Sequence, residues 1–138
     1  MITAVDNVGS AREILIIEDH DDTAHMLSAV LQIVGYASSR ARHGIEGLRL
    51  MRDRMPCLVI VDLYMPLLDG IAFWQEQRLD PILSAVPVVA YTGMYECAAI
   101  ERDLGIPCVA KLDDLSELLE VVEWACGGRP AASEKPFA

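Results

Sequence analysis

The sequence predicts an α/β fold: a five-stranded parallel sheet with helices on both faces, in the doubly wound strand order 2-1-3-4-5. Two observations carry this expectation. Ile14-Leu15-Ile16-Ile17 and Leu58-Val59-Ile60-Val61 are apolar without alternation, which suits strands buried on both faces, the habit of parallel sheets covered by helices. Five segments that read as strands are each followed by one that reads as a helix, and five consecutive βα units with right-handed crossovers build a parallel sheet.

The first strand covers Ile14 to Glu18. The helix after it, Thr23 to Val34, sets Met26, Leu27, Val30, Leu31, Ile33 and Val34 at helical spacing, and Gly35 supplies its stop. The second strand falls within Tyr36 to Ala41, where Ser38, Ser39 and Arg40 dilute the apolar signal as an edge strand would. The second helix covers Ile45 to Asp53, and Pro56 breaks the chain before the third strand at Cys57 to Asp62. The third helix begins near Asp69-Gly70, carries Ile71, Trp74 and Gln77 or Arg78, and ends at Pro81. The fourth strand is Val86 to Tyr91, and the fourth helix lies within Glu96 to Leu104, closed by Gly105. Cys108-Val109-Ala110, introduced by Pro107, forms a short fifth strand suited to an edge. The fifth helix runs from about Leu115 to Cys126, with Leu115, Leu118, Leu119, Val122 and Ala125 in one apolar stripe. Residues 1–12 are expected to be a loose lead-in, 13–126 one domain, and 127–138, with Pro130 and Pro136, a mobile tail.

A 138-residue chain with 53% hydrophobic residues suits one domain with a generous core, despite a net charge of −10. Eleven basic residues against 21 acidic ones offer no basic stripe. Nucleic acid is therefore not expected as a direct partner, and a cationic ligand or a basic protein surface is favoured. No apolar run reaches the roughly 18 residues of a membrane span, and Asp6 with no early Lys or Arg argues against a signal peptide. A cytoplasmic protein is expected. Cys57, Cys97, Cys108 and Cys126 form no Cys-x-x-Cys pair and have no His at ligand spacing, so buried reduced thiols are expected. His20, His25 and His43 lack ligand-like spacing as well, and Trp74 and Trp124 read as packing residues.

At the carboxyl ends of the strands the sequence collects Glu18 and Asp19, then Asp62, Thr92 and Lys111. In the order 2-1-3-4-5 the switch point falls between the first and third strands, where open α/β sheets bind ligands, so the three carboxylates share one crevice. Two carboxylates about 4 Å apart repel by roughly 4 kcal/mol at an effective dielectric near 20. Three need a counterion. Magnesium fits, being a hard cation that takes one or two carboxylates plus a phosphate oxygen.

Ile14 to Asp22, Val59 to Gly70 (VIVDLYMPLLDG), Thr92 and Lys111 together resemble the receiver domain of bacterial two-component response regulators, over about residues 13 to 126. The resemblance implies a flavodoxin-like sheet and a phosphorylation-switched function. Asp62 would be the phosphoacceptor, a carboxylate nucleophile that forms an acyl phosphate. Asp19 would hold Mg2+ directly and Glu18 through water, with Asp62 and the backbone carbonyl of Tyr64 as further ligands. Lys111 and the metal would neutralise the phosphoryl oxygens, and Thr92 would hydrogen-bond the phosphoryl group and carry the signal outward. A sensor histidine kinase or phosphotransfer protein would be the donor, a downstream protein the target, and a homodimer a further option. The only reactions implied are the domain's own phosphorylation and dephosphorylation, not metabolic catalysis.

Three positions depart from the family. Leu112 follows Lys111 where the family has proline; Cys108 stands where an aromatic switch residue is usual; and Thr92 and Lys111 are 19 positions apart, fewer than is typical. A short or distorted fourth helix and an atypical output surface are expected. Tyr64 and Met94, bulky residues two positions after Asp62 and Thr92, imply slow loss of the phosphoryl group. A non-phosphorylated pseudo-receiver used for docking is the alternative suggested by Leu112 and Cys108, and retention of the five pocket residues argues against it. An aspartate-nucleophile phosphohydrolase would need a second Asp where Tyr64 stands. A flavodoxin would need a Ser-, Thr- and Gly-rich loop where Glu18 to Asp22 stand.

Overall fold

The two apolar runs lie side by side at the centre of the sheet. A computed structural model of the chain describes residues 13–63, 69–111 and 114–127. Five parallel strands, β1 (Glu13–Ile17), β2 (Ala37–Ala41), β3 (Leu58–Val61), β4 (Val88–Thr92) and β5 (Cys108–Ala110), follow the order β2-β1-β3-β4-β5. The helices between and after them are α1 (Asp21–Ile33), α2 (Gly44–Arg54), α3 (Asp69–Leu79), α4 (Met94–Leu104) and α5 (Ser116–Cys126). This is the doubly wound order expected from the sequence.

Side chains alternate between the two faces along each strand. Leu15, Ile17, Val59, Val61, Val88 and Ala90 pack with Met51 of α2, Phe73 of α3 and Ile100 of α4. Their neighbours Ile14, Ile16, Leu58, Ile60, Val89 and Tyr91 pack with Leu27 and Leu31 of α1 and Leu118 and Val122 of α5. Both faces being covered explains why β1 and β3 read as unbroken apolar runs, whereas the outer strand β2 keeps four of its five residues partly or fully exposed. Register then sets the site. Ile17 lies opposite Ala41 on one side and Val61 on the other, and Asp62 N donates to Ile17 O at 3.0 Å while Glu18 N donates to Ala41 O at 3.0 Å. Glu18 and Asp62 thus leave the sheet at one level.

Local chemistry moves several boundaries. α1 begins at Asp21, two residues before the predicted start, because His20 caps it: Thr23 N donates to His20 Nδ1 at 3.3 Å. His43 caps α2 in the same way, accepting from Glu46 N at 3.3 Å. α3 stops at Leu79, before Pro81, and an unpredicted 3-10 turn follows at Leu83–Ala85. Asp80 organises that turn, its Oδ1 accepting from Ile82 N at 2.8 Å and Leu83 N at 3.0 Å.

The expectation of a short fourth helix is corrected. α4 has 11 residues, as many as α2, α3 and α5. It starts at Met94, directly after its Gly93 cap, and ends on Gly105 at φ 72°, so the short spacing is absorbed by the connections. The expectation of reduced thiols is corrected too. Cys57 pairs with Cys126 and Cys97 with Cys108 in disulfides, with Cα separations of 5.4 and 5.5 Å. Sequence spacing gave no sign of this because the sheet topology, not local chain, brings the partners together. Residues 1–12, Tyr64, Leu112 and the tail beyond Gly127 lie outside the described residues.

Candidate functional site

Glu18 follows β1 directly and is buried, Asp62 follows β3 and is buried, and Asp19 is exposed at the rim. One carboxylate oxygen from each lies within 4.8 Å of the other two. Lys111, the first residue past β5, reaches into this cluster: its Nζ donates to Asp62 Oδ2 at 3.0 Å and to Glu18 Oε1 at 3.3 Å. Its main-chain N donates to Thr92 O at 2.6 Å, which locks the end of β5 to the end of β4. Thr92 is buried at the same rim.

The electrostatics show where the resting site is uncomfortable. Burial, then the charge of Asp62, push the Glu18 carboxyl above the usual carboxylate range, against the opposing pull of Lys111 and the N–H of His20. Burial works against the charge of Lys111 as well, but hydrogen bonding and attraction from Asp62 and Glu18 outweigh it, and the ammonium is held on more firmly than usual. Lys111 stays a cation. One lysine against three carboxylates leaves an excess of negative charge, and the donors are all oxygen, two of them from buried side chains. That set suits a hard divalent cation such as Mg2+.

One contributor escaped sequence reasoning altogether. Arg40, taken only as polar dilution of an edge strand, sends Nε to Glu18 O at 3.0 Å and Nη1 to Asp21 Oδ1 at 2.7 Å. The hydrogen bond from Arg40 and the nearby charge of Arg42 hold the Asp21 carboxyl below its ordinary range. The signal was two arginines, Arg40 and Arg42, at the carboxyl end of a strand beside an acidic turn. Tyr91 lies under Lys111, with Nζ 5.7 Å from its ring centroid, and burial pushes its phenol upward. Gly70 brings the start of α3 against the Asp62 loop: a Cβ there would sit 2.7 Å from Asp62 O and 2.8 Å from Leu63 Cα.

A buried carboxylate on a strand end, held by a lysine beside two further carboxylates, is equipped to act as a nucleophile toward phosphorus once its charge is shared. The family model described as response regulator receiver domain matches residues 14–123. The chain belongs to the response regulator receiver domain family. Receivers are the signalling domains of two-component systems. This receiver is 36% identical over 86 residues to the ycf27 protein of Guillardia theta, a match covering 62% of the chain and 33% of ycf27. The chain thus corresponds to about a third of that relative. Among solved structures it resembles the receiver domain of sensor histidine kinase PA1611 from Pseudomonas aeruginosa PAO1, which has a magnesium ion coordinated in its active-site cleft (25% identity, TM-score 0.74, covering 86% of this chain and 99% of that one). It also resembles response regulator TrrA from Thermotoga maritima in complex with Mg2+ and BeF (25% identity, TM-score 0.72, covering 83% and 98%). Among the described residues no helix is long and apolar enough to cross a membrane.

Proposed function

We propose that this receiver, over residues 13–126, accepts a phosphoryl group on Asp62 in a Mg2+-dependent reaction. The donor is a sensor histidine kinase or phosphotransfer protein, the setting cytoplasmic, and the output a contact with a downstream protein rather than nucleic acid. The observation that carries this reading is Lys111 Nζ spanning Asp62 and Glu18 inside a cluster of three carboxylates. A carboxylate oxygen of Asp62 attacks phosphorus as the bond to the donor breaks, giving an acyl phosphate; water later attacks that phosphorus, releasing inorganic phosphate and restoring the carboxylate. Lys111, already aimed at Asp62 Oδ2, turns to a phosphoryl oxygen. Thr92 offers a hydroxyl to another. Glu18, Asp19, Asp62 and the main-chain carbonyl of Tyr64 would hold Mg2+, which would supply the positive charge that three carboxylates and a phosphoryl group demand. Arg40 keeps the Glu18 turn in place through its carbonyl.

The test is incubation with Mg2+ and acetyl phosphate, read by intact mass, beside the same experiment on Asp62→Asn. One phosphoryl group per wild-type chain and none on the variant is the expected result. A wild-type chain that takes up neither acetyl phosphate nor beryllofluoride would overturn the reading in favour of a docking module.

A further inference from the structure

The two disulfides tie different parts of the fold. Cys57–Cys126 joins the entry of β3 to the end of α5, a separation of 69 residues. Cys97–Cys108 joins α4 to the first residue of β5, a separation of 11 residues. Both of the latter cysteines are buried in the core layer that also holds Ala90, Ile100 and Ile106. Cys108 N donates to Glu101 Oε2 at 3.2 Å, so α4 grips the start of β5 by a covalent and a hydrogen bond. The other end of β5 leads into Lys111, which is tied to Thr92 O and to Asp62. α4 itself starts two residues after Thr92. Cys97–Cys108 therefore staples together the helix that follows Thr92 and the strand that ends at Lys111.

We propose that Cys97 and Cys108 are a reversible dithiol–disulfide site, oxidised by a low-molecular-weight disulfide of the glutathione class, and that its oxidised form holds α4 on β5 against the change driven by phosphorylation. The gating half of this inference rests on the phosphoryl reading above. In the reducing setting proposed there, a protein disulfide is typically transient and redox-sensing, and the Cα separation of 5.5 Å lies within the range a disulfide spans without moving the backbone. In the exchange, one protein thiol gives up its proton and attacks the small disulfide, forming a mixed disulfide and releasing one small thiol. The second protein thiol attacks the protein sulfur of that mixed disulfide and releases the other small thiol. Two electrons and two protons leave the cysteine pair and appear on the two small thiols.

The experiment takes the full chain in glutathione buffers from reduced to oxidised, maps alkylatable thiols by mass spectrometry, and follows amide exchange with and without Mg2+ and beryllofluoride. Cys97 and Cys108 are expected to lose alkylation together in oxidised buffer and regain it in reduced buffer without denaturant. Beryllofluoride should change exchange in residues 94–110 by about tenfold in the reduced chain and by less than about twofold in the oxidised one. Cys108→Ala should respond in both buffers. In a Cys57→Ala, Cys126→Ala background the gate should persist, which assigns it to the α4–β5 pair. Cysteines that stay alkylatable, or that end as separate glutathione adducts, overturn the site. Equal beryllofluoride responses in both buffers overturn the gate. A pair that forms and breaks as stated while no sample responds to beryllofluoride refutes the phosphoryl reading and the gate with it, but leaves the dithiol site standing.

Discussion

Replacing Lys111 by Met keeps the length and apolar stem of the side chain and removes a cation bonded to both Glu18 and Asp62. At an effective dielectric near 20, unit charges at the observed 3.0 Å attract by roughly 5 kcal/mol before desolvation. Little of that is net, because the lysine side chain is 31% exposed and gives up hydration to reach the pocket. The cost of the variant is set by what the carboxylates do afterwards. Oxygens within 4.8 Å repel by roughly 3 kcal/mol at the same dielectric. Protonating a carboxyl of ordinary value 4.5 at pH 7 costs about 3 kcal/mol, which caps the penalty. Since the Glu18 carboxyl is already raised in the folded chain, a loss of about 2 kcal/mol at pH 7.5 is expected in metal-free buffer. The sign follows from the direction of that shift. A carboxyl raised on folding contributes stability that is complete below its unfolded value of 4.5 and is lost as pH rises through the folded value. The variant raises Glu18 further, so its deficit against wild type should be small at pH 5 and grow toward pH 7.5. Urea unfolding at the two pH values measures it, and Mg2+ at 100 times its dissociation constant, which adds about 2.7 kcal/mol, should offset the whole loss. An equal deficit at pH 5 and 7.5, or no recovery with Mg2+, would refute the picture of an under-neutralised acidic cluster.

Other consequences are local. Gly70→Ala should cost about 1 to 3 kcal/mol, because its Cβ would meet main-chain atoms of Asp62 and Leu63 that cannot swing aside; labelling by acetyl phosphate should slow with it, and unchanged stability and labelling would show that α3 does not brace the Asp62 loop. Gln77 is 2% exposed and its Nε2 donates to Leu83 O at 2.7 Å and Val86 O at 3.2 Å. Gln77→Leu should lower unfolding stability by about 1 to 3 kcal/mol, because Val86 O loses the amide while Leu83 O keeps Val86 N as a donor at 3.0 Å, and a neutral result would mean that water replaces the amide. His43→Ala should cost about 1 kcal/mol in urea unfolding, with His43→Asp restoring it, since the ring nitrogen caps α2; equal losses in both variants would assign the effect to something other than the cap.

How legible each part was depends on whether its signal is local. β1 and β3 could be read because burial on both faces forbids polar residues, and β5 because Pro107 and Lys111 bracket three apolar residues. The ends of α1 and α3 could not be read well, because histidine is an uncommon cap and the Asp80 turn draws on backbone groups that sequence does not mark. Glu18, Asp19, Asp62 and Lys111 were legible together because strand order alone carries their backbones to one rim. Arg40 was not, since it acts by where its side chain lies across a neighbouring strand. The cysteines are the clearest case. Cys57 and Cys126 lie 69 residues apart, and no spacing rule for metal or disulfide motifs anticipates partners whose proximity is created by a β-strand and a helix crossing at the same end of a sheet.

The bond between Lys111 N and Thr92 O gives the site a mechanical consequence. On the proposed reading, phosphorylation replaces one carboxylate charge with a group of about −1.5 to −2, so the Lys111 ammonium, now shared between Asp62 and Glu18, is drawn toward the phosphoryl oxygens. A long side chain could make that adjustment alone if its backbone were loose. Here the backbone is pinned at 2.6 Å to the residue that would also meet the phosphoryl group, and the lysine ammonium sits 5.7 Å from the centroid of the buried Tyr91 ring. Displacement therefore passes to the main chain at the ends of β4 and β5. The next elements in line are α4, two residues beyond Thr92, and the start of β5, held to α4 through Cys97 and Cys108. On that reading, a charge change at Asp62 is passed through the Lys111–Thr92 bond to elements joined by the disulfide between α4 and β5.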